Sequence, residues 1–191
     1  MKIKYLLALI TMTVLAAQLC LAGSIKGKVS PGKSVVYLES ANGAVVPVAG
    51  KKVTMDQRGL LFQPHVLVVQ AGTTVEFLNS DKVAHNVFWP SISGDKKKGH
   101  NLGTWPTGQT KPFQFNEPGV VTLLCNVHPE MSGYVVVSPT PYYAETSDTG
   151  EFNLTNVPDG QYTITVWHEG KKTQSRKITV SGGTTADFTL Q

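Results

Sequence analysis

The sequence predicts an all-β protein. After the first 22 residues no stretch shows the 3.6-residue apolar period of an amphipathic helix, whereas short β-branched and aromatic runs recur. The 18 glycines and 11 prolines are scattered between these runs, which is typical of a chain with many turns. Only 16% of the residues are charged, so enough apolar side chains remain to fill the core of a sandwich or barrel.

The predicted strands fall into three groups along the chain. SIKGKVS and SVVYLES come first, separated by the turn PGK. HVLVVQ, TVEFLN, PFQFN, GVVTLLC and GYVVVS form the second group, and the third contains GEFNLTNV, GQYTITVWHEG, RKITVSG and TADFTL. In QYTITVW, Tyr162, Ile164 and Val166 alternate with two threonines. A period of two predicts that opposite faces of this strand meet different environments.

The segment from 88 to 112 interrupts the strand pattern. Its sequence, FWPSISGDKKKGHNLGTWPTGQTKP, is rich in glycine, proline and lysine and predicts long loops with a short helical turn. Within it, DKKKGH at 95–100 is the sharpest cluster of positive charge, either a solvated loop or a docking patch for an acidic partner. Further on, SPTPYY at 138–143 predicts a boundary between two modules.

The first 22 residues have the order of a secretory signal peptide. Lys2 and Lys4 precede the apolar run YLLALITMTVLAAQL, and small residues surround Ala22, after which we expect cleavage. A retained membrane anchor is one alternative, but the run is short for a span. Lipidation of Cys20 is another, although Leu19 precedes it where a small residue is usual. We therefore expect a periplasmic or secreted protein that meets a membrane only through an uncleaved or lipidated N-terminus.

Removing the predicted signal peptide changes the charge and the cysteine count. The chain has 17 basic and 13 acidic residues, and loss of Lys2 and Lys4 lowers the formal net charge from +4 to +2. A chain so close to neutral lacks the dense basic face that nucleic-acid binding requires. Cys20 also leaves, so Cys125 has no cysteine to pair with. Outside the cytoplasm a lone thiol survives if it is buried, or if a metal ion holds it as a thiolate.

Cys125 opens the sequence CNVHPEM, in which His128 and Met131 follow at intervals of three residues. The preceding GVVTLLC predicts a strand, and Pro129 and Gly133 predict bends after it. The three side chains therefore share a tight loop between two strands, where they can be aimed at one point. Three ligands rarely fill a coordination shell, so we expect a fourth from elsewhere in the chain.

The best candidate for the fourth ligand is His85, in NSDKVAHNVFW after a predicted strand. Two imidazoles, one thiolate and one distant thioether are the ligand set of a blue-copper electron-transfer site. Thiolate and imidazole suit both oxidation states of copper, and a thioether is a weak, soft axial ligand. Zinc would accept the two histidines and the cysteine but gains little from a thioether. Four protein ligands leave no open coordination position for a substrate, which disfavours catalysis.

Two stretches of the chain together resemble the cupredoxins, particularly plastocyanin and amicyanin-like proteins. They are FQPHVLVVQAGTTVEFLNSDKVAHNVFW and GVVTLLCNVHPEMSGYVVV, and the resemblance covers about residues 62–138. It implies a Greek-key sandwich at 55–139, an exposed ring edge of His128 that passes electrons, and an Asn86 that fixes the cysteine loop by hydrogen bonding. It also implies one copper ion per chain, bound by His85, Cys125, His128 and Met131.

A second resemblance covers the C-terminal stretch TSDTGEFNLTNVPDGQYTITVWHEG, which is similar to the carboxypeptidase-regulatory-like β-sandwich. Such modules usually begin with a G-x-V strand and a V-x-L strand. This chain carries both far upstream, in IKGKVS and VVYLES. We therefore expect residues 24–46 and 141–191 to form one smaller, discontinuous β-sandwich into which the copper domain is inserted.

The sequence as a whole predicts an extracytoplasmic blue-copper protein that carries single electrons between redox partner proteins and is not an enzyme. A copper-binding protein for metal delivery or tolerance needs the same ligands and is the alternative. A copper oxidase or nitrite reductase would need a second, histidine-only copper site. The remaining histidines for such a site are His65, His100 and His168. A surface β protein with a vestigial site is the last alternative.

Overall fold

The computed structural model describes residues 22–191, and this part of the chain is all-β. It contains 17 strands and one short 3₁₀ turn, Lys96–Lys98. The predicted signal peptide lies outside the described residues, apart from Ala22 at the start of the first strand. Within residues 22–191 no helix is long and apolar enough to cross a membrane. The strands are β1 (Ala22–Ser30), β2 (Val35–Ser40), β3 (Lys52–Arg58), β4 (Leu61–Gln63), β5 (Val66–Gln70), β6 (Thr73–Asn79), β7 (His85–Trp89), β8 (His100–Trp105), β9 (Thr110–Phe115), β10 (Gly119–Leu124), β11 (Ser132–Ser138), β12 (Tyr143–Glu145), β13 (Glu151–Pro158), β14 (Gly160–Trp167), β15 (Gln174–Val180), β16 (Gly183–Thr185) and β17 (Phe188–Thr189).

The central part of the chain, β3 to β11, folds into two facing sheets, and we call it the central module. One sheet has the order β5-β11-β10-β7-β8 and the other the order β4-β3-β6-β9. Along β6, buried and half-buried residues alternate, as expected for a strand with one face on a core. The large side chains between the sheets are Phe62, Phe77, Trp89, Trp105 and Phe115.

The first two strands pair with the last part of the chain. β1 lies between β13 and β16 and also pairs with β17, and β2 lies between β12 and β14 in the sheet β12-β2-β14-β15. A second apolar core packs among these strands and includes Ile25, Leu38 and Ile164. On the basis of these pairings we propose that residues 24–46 and 141–191 are one discontinuous unit, the terminal module, with the copper domain at 55–139 inserted. β3 begins at Lys52, slightly before that predicted boundary.

A third cluster of apolar side chains joins the two modules. The outer face of β5, β10 and β11 packs against β2, β12 and β14, with Val136 and Trp167 among the buried residues. The ring centroid of Trp167 lies 5.0 Å from that of Tyr134 on β11. Next to this cluster, Glu169 Oε1 accepts a hydrogen bond from the Tyr134 hydroxyl at 3.0 Å. The other carboxylate oxygen, Oε2, is hydrogen-bonded to His65 Nε2 at 2.6 Å. The two modules are therefore in apolar and polar contact.

The prediction of long loops at 88–112 is wrong for the part that contains the end of β7, all of β8 and the start of β9. It is confirmed at 90–95 and 106–109, which lie outside strands, and the predicted helical turn is confirmed at Lys96–Lys98. β8 is an edge strand, its pairing with β7 shifts register, and Gly103 within it has a φ of 78°. A strand of this kind lacks the alternating pattern by which strands are recognised in a sequence. The sequence patterns also missed β3 and β4.

The 3₁₀ turn at Lys96–Lys98, which we call the lysine turn, lies at the opposite end of the central module from Cys125. Ser93, just before the turn, donates from its backbone nitrogen to the carbonyl of Val120 at 2.8 Å. Val120 is the second residue of β10, whereas Cys125 follows the last residue of the same strand. A partner bound by Lys96–Lys98 would therefore sit about one strand length from Cys125.

The close approach of β1 to the C-terminal segment can be tested at Gly27. A Cβ atom there would lie 1.9 Å from the carbonyl oxygen of Ala186 and 2.9 Å from the ring of Phe152. Because a backbone oxygen cannot move aside alone, we expect Gly27→Ala to lower the free energy of unfolding by about 1–3 kcal/mol. Gly183→Ala is the matched control, since Gly183 also pairs with β1 but has open space around it. Denaturant unfolding measures both, and equal stability of the two variants would contradict the pairing.

Candidate metal centre

His85, Cys125 and His128 lie at the same end of the central module. His85 is the first residue of β7, Cys125 follows β10, and His128 belongs to the loop at 125–131 that leads into β11. β7 and β10 are neighbours in one sheet, which brings His85 and Cys125 together across 40 residues of sequence. Within the loop, the backbone nitrogen of Met131 donates to the carbonyl of His128 at 3.0 Å. Pro129, with its restricted φ, lies inside this tight turn.

The metal-binding atoms of the three side chains converge on one point. Cys125 Sγ lies 3.9 Å from His85 Nδ1 and 3.9 Å from His128 Nδ1, and the two Nδ1 atoms are 3.1 Å apart. A transition-metal ion with bonds of about 2.0–2.3 Å to nitrogen and sulfur holds its ligand atoms roughly 3–4 Å apart. The arrangement therefore fits one shared ion. Within residues 22–191 no other group of three or more His, Cys, Asp or Glu residues has this geometry.

The four predicted ligands differ in exposure. His85 and Met131 are fully buried and Cys125 is 3% exposed, whereas His128 is half-buried. Met131 belongs to the same apolar cluster as Cys125, so it lies in the core beneath the loop. The structure thus brings three of the four predicted residues together around one point. The role of Met131 as the fourth ligand stays a prediction.

The chain matches a family model described as copper binding proteins, plastocyanin/azurin family, over residues 49–138. Amicyanin-alpha from Methylorubrum extorquens is 36% identical over 78 residues, which are 40% of this chain and 63% of that relative. Chloroplastic plastocyanin from Physcomitrium patens is 30% identical over 120 residues, 59% of this chain and 68% of that relative. The chain belongs to the plastocyanin/azurin family of copper-binding proteins.

This cupredoxin also matches solved structures over about half of its length. A Cu(I) form of an amicyanin variant is 24% identical, with a TM-score of 0.43 over 54% of this chain and 98% of that chain. A copper-containing nitrite reductase from Thermus scotoductus SA-01 is 27% identical, with a TM-score of 0.42 over 52% of this chain and 26% of that chain. A second family model, carboxypeptidase regulatory-like domain, matches residues 131–191. That match includes β12 to β17 but not β1 and β2, which pair with several of those strands.

Copper is the metal of this cupredoxin, and the donor set fits it. A thiolate and two imidazoles suit both Cu(I) and Cu(II). Water has little access to the cluster, since His85, Cys125 and Met131 are almost wholly buried. Only the half-buried His128 connects the cluster to the surface.

Asn86 holds the cysteine loop in place by hydrogen bonds, as the resemblance to cupredoxins implies. Its side-chain oxygen accepts from the backbone nitrogen of Asn126 at 3.3 Å, and its own backbone nitrogen donates to Cys125 Sγ at 3.4 Å. Its amide group donates to the side chain of Asn101 on β8 at 2.9 Å. A donor directed at sulfur stabilises the thiolate form that binds metal ions.

Asp81 is a site residue that the sequence analysis missed. Its Oδ2 lies 2.8 Å from His85 Nε2, and its two oxygens accept from the backbone nitrogens of Gly59 at 2.7 Å and Leu60 at 2.9 Å. Burial acts to raise the pKa of Asp81, but these hydrogen bonds and the nearby His85 outweigh it, so the pKa lies below its usual value. The carboxylate is therefore ionised at neutral pH. The spacing of four residues from Asp81 to His85 is the only trace of this contact in the sequence.

The other histidines do not form a second cluster of ligands. His65 is hydrogen-bonded to Glu169 at the contact between the modules, and the ring of His100 packs at a tilt against that of Phe113, with centroids 4.9 Å apart. His168 is hydrogen-bonded to the backbone carbonyl of Glu169. Each of these side chains has a local partner, as expected for structural or surface histidines.

Exposed aliphatic side chains lie close in sequence to both histidine ligands. Val127 precedes His128 and is 47% exposed, and Val83, two residues before His85, is 46% exposed. Leu60 and Leu61 are exposed on the turn that contacts Asp81. Neighbouring exposed aliphatic side chains are uncommon on a surface that stays in water, and they are typical of a protein contact.

The role of Asn86 can be tested by replacing it with alanine. We expect Asn86→Ala to lower the free energy of unfolding by about 1–2 kcal/mol, because two partly buried side-chain hydrogen bonds are lost. Copper should also dissociate faster, because the loop that carries Cys125 is no longer held by the side chain at position 86. Asn101→Ala is the control. It removes the outer hydrogen bond of Asn86 and the bond that Asn101 accepts from the backbone nitrogen of Gly103, but it leaves the bond from Asn86 to the cysteine loop intact. Chelator competition measures dissociation, and equal rates for the two variants would argue against this role.

Proposed function

We propose that this protein is an extracytoplasmic blue-copper protein that carries single electrons between redox partner proteins. The observation that carries the proposal is the convergence of His85 Nδ1, His128 Nδ1 and Cys125 Sγ within 3.9 Å of one another. In this proposal the buried thioether of Met131 would be the fourth, weak ligand of the ion. When bound, copper supplies a centre that gains and loses one electron reversibly.

Electron transfer requires a site that changes little between the two oxidation states. The ligands are supported by strands rather than by long free loops: His85 starts β7, Cys125 directly follows β10 and Met131 directly precedes β11. Asn86 further limits movement of the loop. Such support keeps ligand positions nearly constant, so that little reorganisation accompanies the transfer of an electron.

The route for the electron in this proposal is the ring of His128. It is the one proposed ligand with substantial exposure, and its Nδ1 faces Cys125 and His85. The exposed apolar side chains of Val127, next to His128 in the sequence, and Val83, two residues before His85, suit a short-lived contact with a partner protein. The lysine turn at the far end of the module does not adjoin this surface, so we do not assign it to electron-transfer docking.

Two further parts of the proposal concern catalysis and location. Four protein ligands would leave no coordination position for a substrate, which supports a carrier rather than an enzyme. The order of residues at 1–22 supports export, and a metal-bound thiolate is compatible with that location although Cys125 has no cysteine partner after cleavage.

The proposal can be tested with the Cys125→Ser variant of the copper-loaded protein. A hydroxyl does not replace a thiolate as a soft ligand, so we expect loss of the intense visible absorption band and of most of the copper affinity. Met131→Leu is the companion variant. It should retain the band but shift the reduction potential, because only the weak axial ligand is removed.

The wild-type protein must also show a reversible one-electron potential and must keep its copper during reduction and reoxidation. A Cys125→Ser protein with an unchanged visible absorption band would contradict the assignment of Cys125 as a copper ligand. A wild-type protein that loses copper to a chelator within minutes, with no reversible potential, would instead favour metal delivery or tolerance. Turnover of oxygen or nitrite by the purified protein would contradict the carrier role.

A further inference from the structure

The two imidazoles of the copper site are held differently. His85 is fully buried, and its Nε2 lies 2.8 Å from Asp81 Oδ2. His128 is half-buried, and within residues 22–191 its ring nitrogens contact only the other two members of the cluster. His85 therefore has a carboxylate partner on the side of its ring away from the metal-binding nitrogen, whereas His128 has none among the described residues.

The position of Asp81 is itself fixed by the protein. Its carboxylate accepts hydrogen bonds from the backbone nitrogens of Gly59 and Leu60, at 2.7 and 2.9 Å. Both residues have positive φ, 65° and 59°, and such a conformation is costly for leucine. The carboxylate stabilises this turn, and the turn in return aims the carboxylate at His85. The side chain of Asp81 is only 16% exposed, so water screens its charge weakly.

The carboxylate determines which nitrogen of His85 can bind a metal. An ionised carboxylate accepts hydrogen bonds and cannot donate one, so the proton of a neutral His85 ring must lie on Nε2. Nδ1 then has a free lone pair, and this is the nitrogen that faces Cys125 Sγ and His128 Nδ1. The ring is thus in its metal-binding tautomer before an ion arrives.

The charge of Asp81 has a second effect. A carboxylate behind a metal-binding imidazole raises the basicity of the ring and strengthens its bond to the ion. A fixed negative charge in a poorly hydrated place also favours Cu(II) over Cu(I), because the oxidised ion carries one more positive charge. We propose that Asp81 is a positioning residue for copper, one that presets the tautomer of His85 and lowers the reduction potential of the site. This inference rests on the proposed electron-carrier function.

The test compares Asp81→Asn with the wild-type protein, both as the full chain loaded with copper. An amide has one acceptor oxygen where the carboxylate serves three N–H groups, and its own N–H group would oppose the His85 proton. We expect copper affinity to fall by about 10- to 100-fold and the reduction potential to rise. Glu130→Gln is the matched control. It removes one negative charge next to Met131, but Glu130 is exposed, and it should leave both quantities nearly unchanged.

Nitrogen-15 NMR of the metal-free wild-type protein gives a readout that does not depend on copper or on any variant. We expect the His85 proton on Nε2, and a proton on Nδ1 would overturn the inference. Equal potentials and affinities for Asp81→Asn and Glu130→Gln would overturn it as well, while a blue, reversible wild-type protein would leave the carrier function standing. A colourless wild-type protein with the proton on Nε2 would instead refute the carrier function alone. If Asp81→Asn does not fold, the NMR result on the wild-type protein still decides between the two tautomers.

Discussion

The structure depends on bringing one sulfur and two imidazole nitrogens to within 3.9 Å of each other inside a largely apolar core. Polar groups buried together in this way are unfavourable unless they are paired or hold a metal ion. The sheet brings the ligands together, because the adjacent strands β7 and β10 place His85 beside Cys125. The tight turn at 125–131 then adds His128, and the buried Met131 closes the core beneath it.

The terminal module supports this arrangement from outside. β11 follows the ligand loop directly, and its residues are buried on both faces, with Val135 and Val137 in the central core and Val136 in the contact with the terminal module. The apolar contact of Trp167 with Tyr134 and the hydrogen bond from the same tyrosine to Glu169 hold β11 against the terminal module. A strand packed on both sides moves little, which suits a site that must keep its geometry when an electron arrives.

Local features of the sequence pointed to the candidate ligands, whereas contacts set by the fold were missed. The spacing of Cys125, His128 and Met131 depends on one short loop, so it could be recognised without a structure. Asp81 could not be assigned, because its role arises from a turn between β3 and β4 that the sequence patterns did not predict. β8 was missed for a related reason, since an edge strand with shifted register shows no regular alternation.

The most direct test of the account is a pair of crystal structures, one of the metal-free protein and one loaded with copper. The account predicts one ion bound by His85, Cys125 and His128, with ligand atoms displaced by less than about 0.5 Å between the two structures. It also predicts the sulfur of Met131 on the axial side of that ion. Copper bound elsewhere, or ligand atoms that lie far apart until the metal arrives, would contradict the claim that the fold prepares the site.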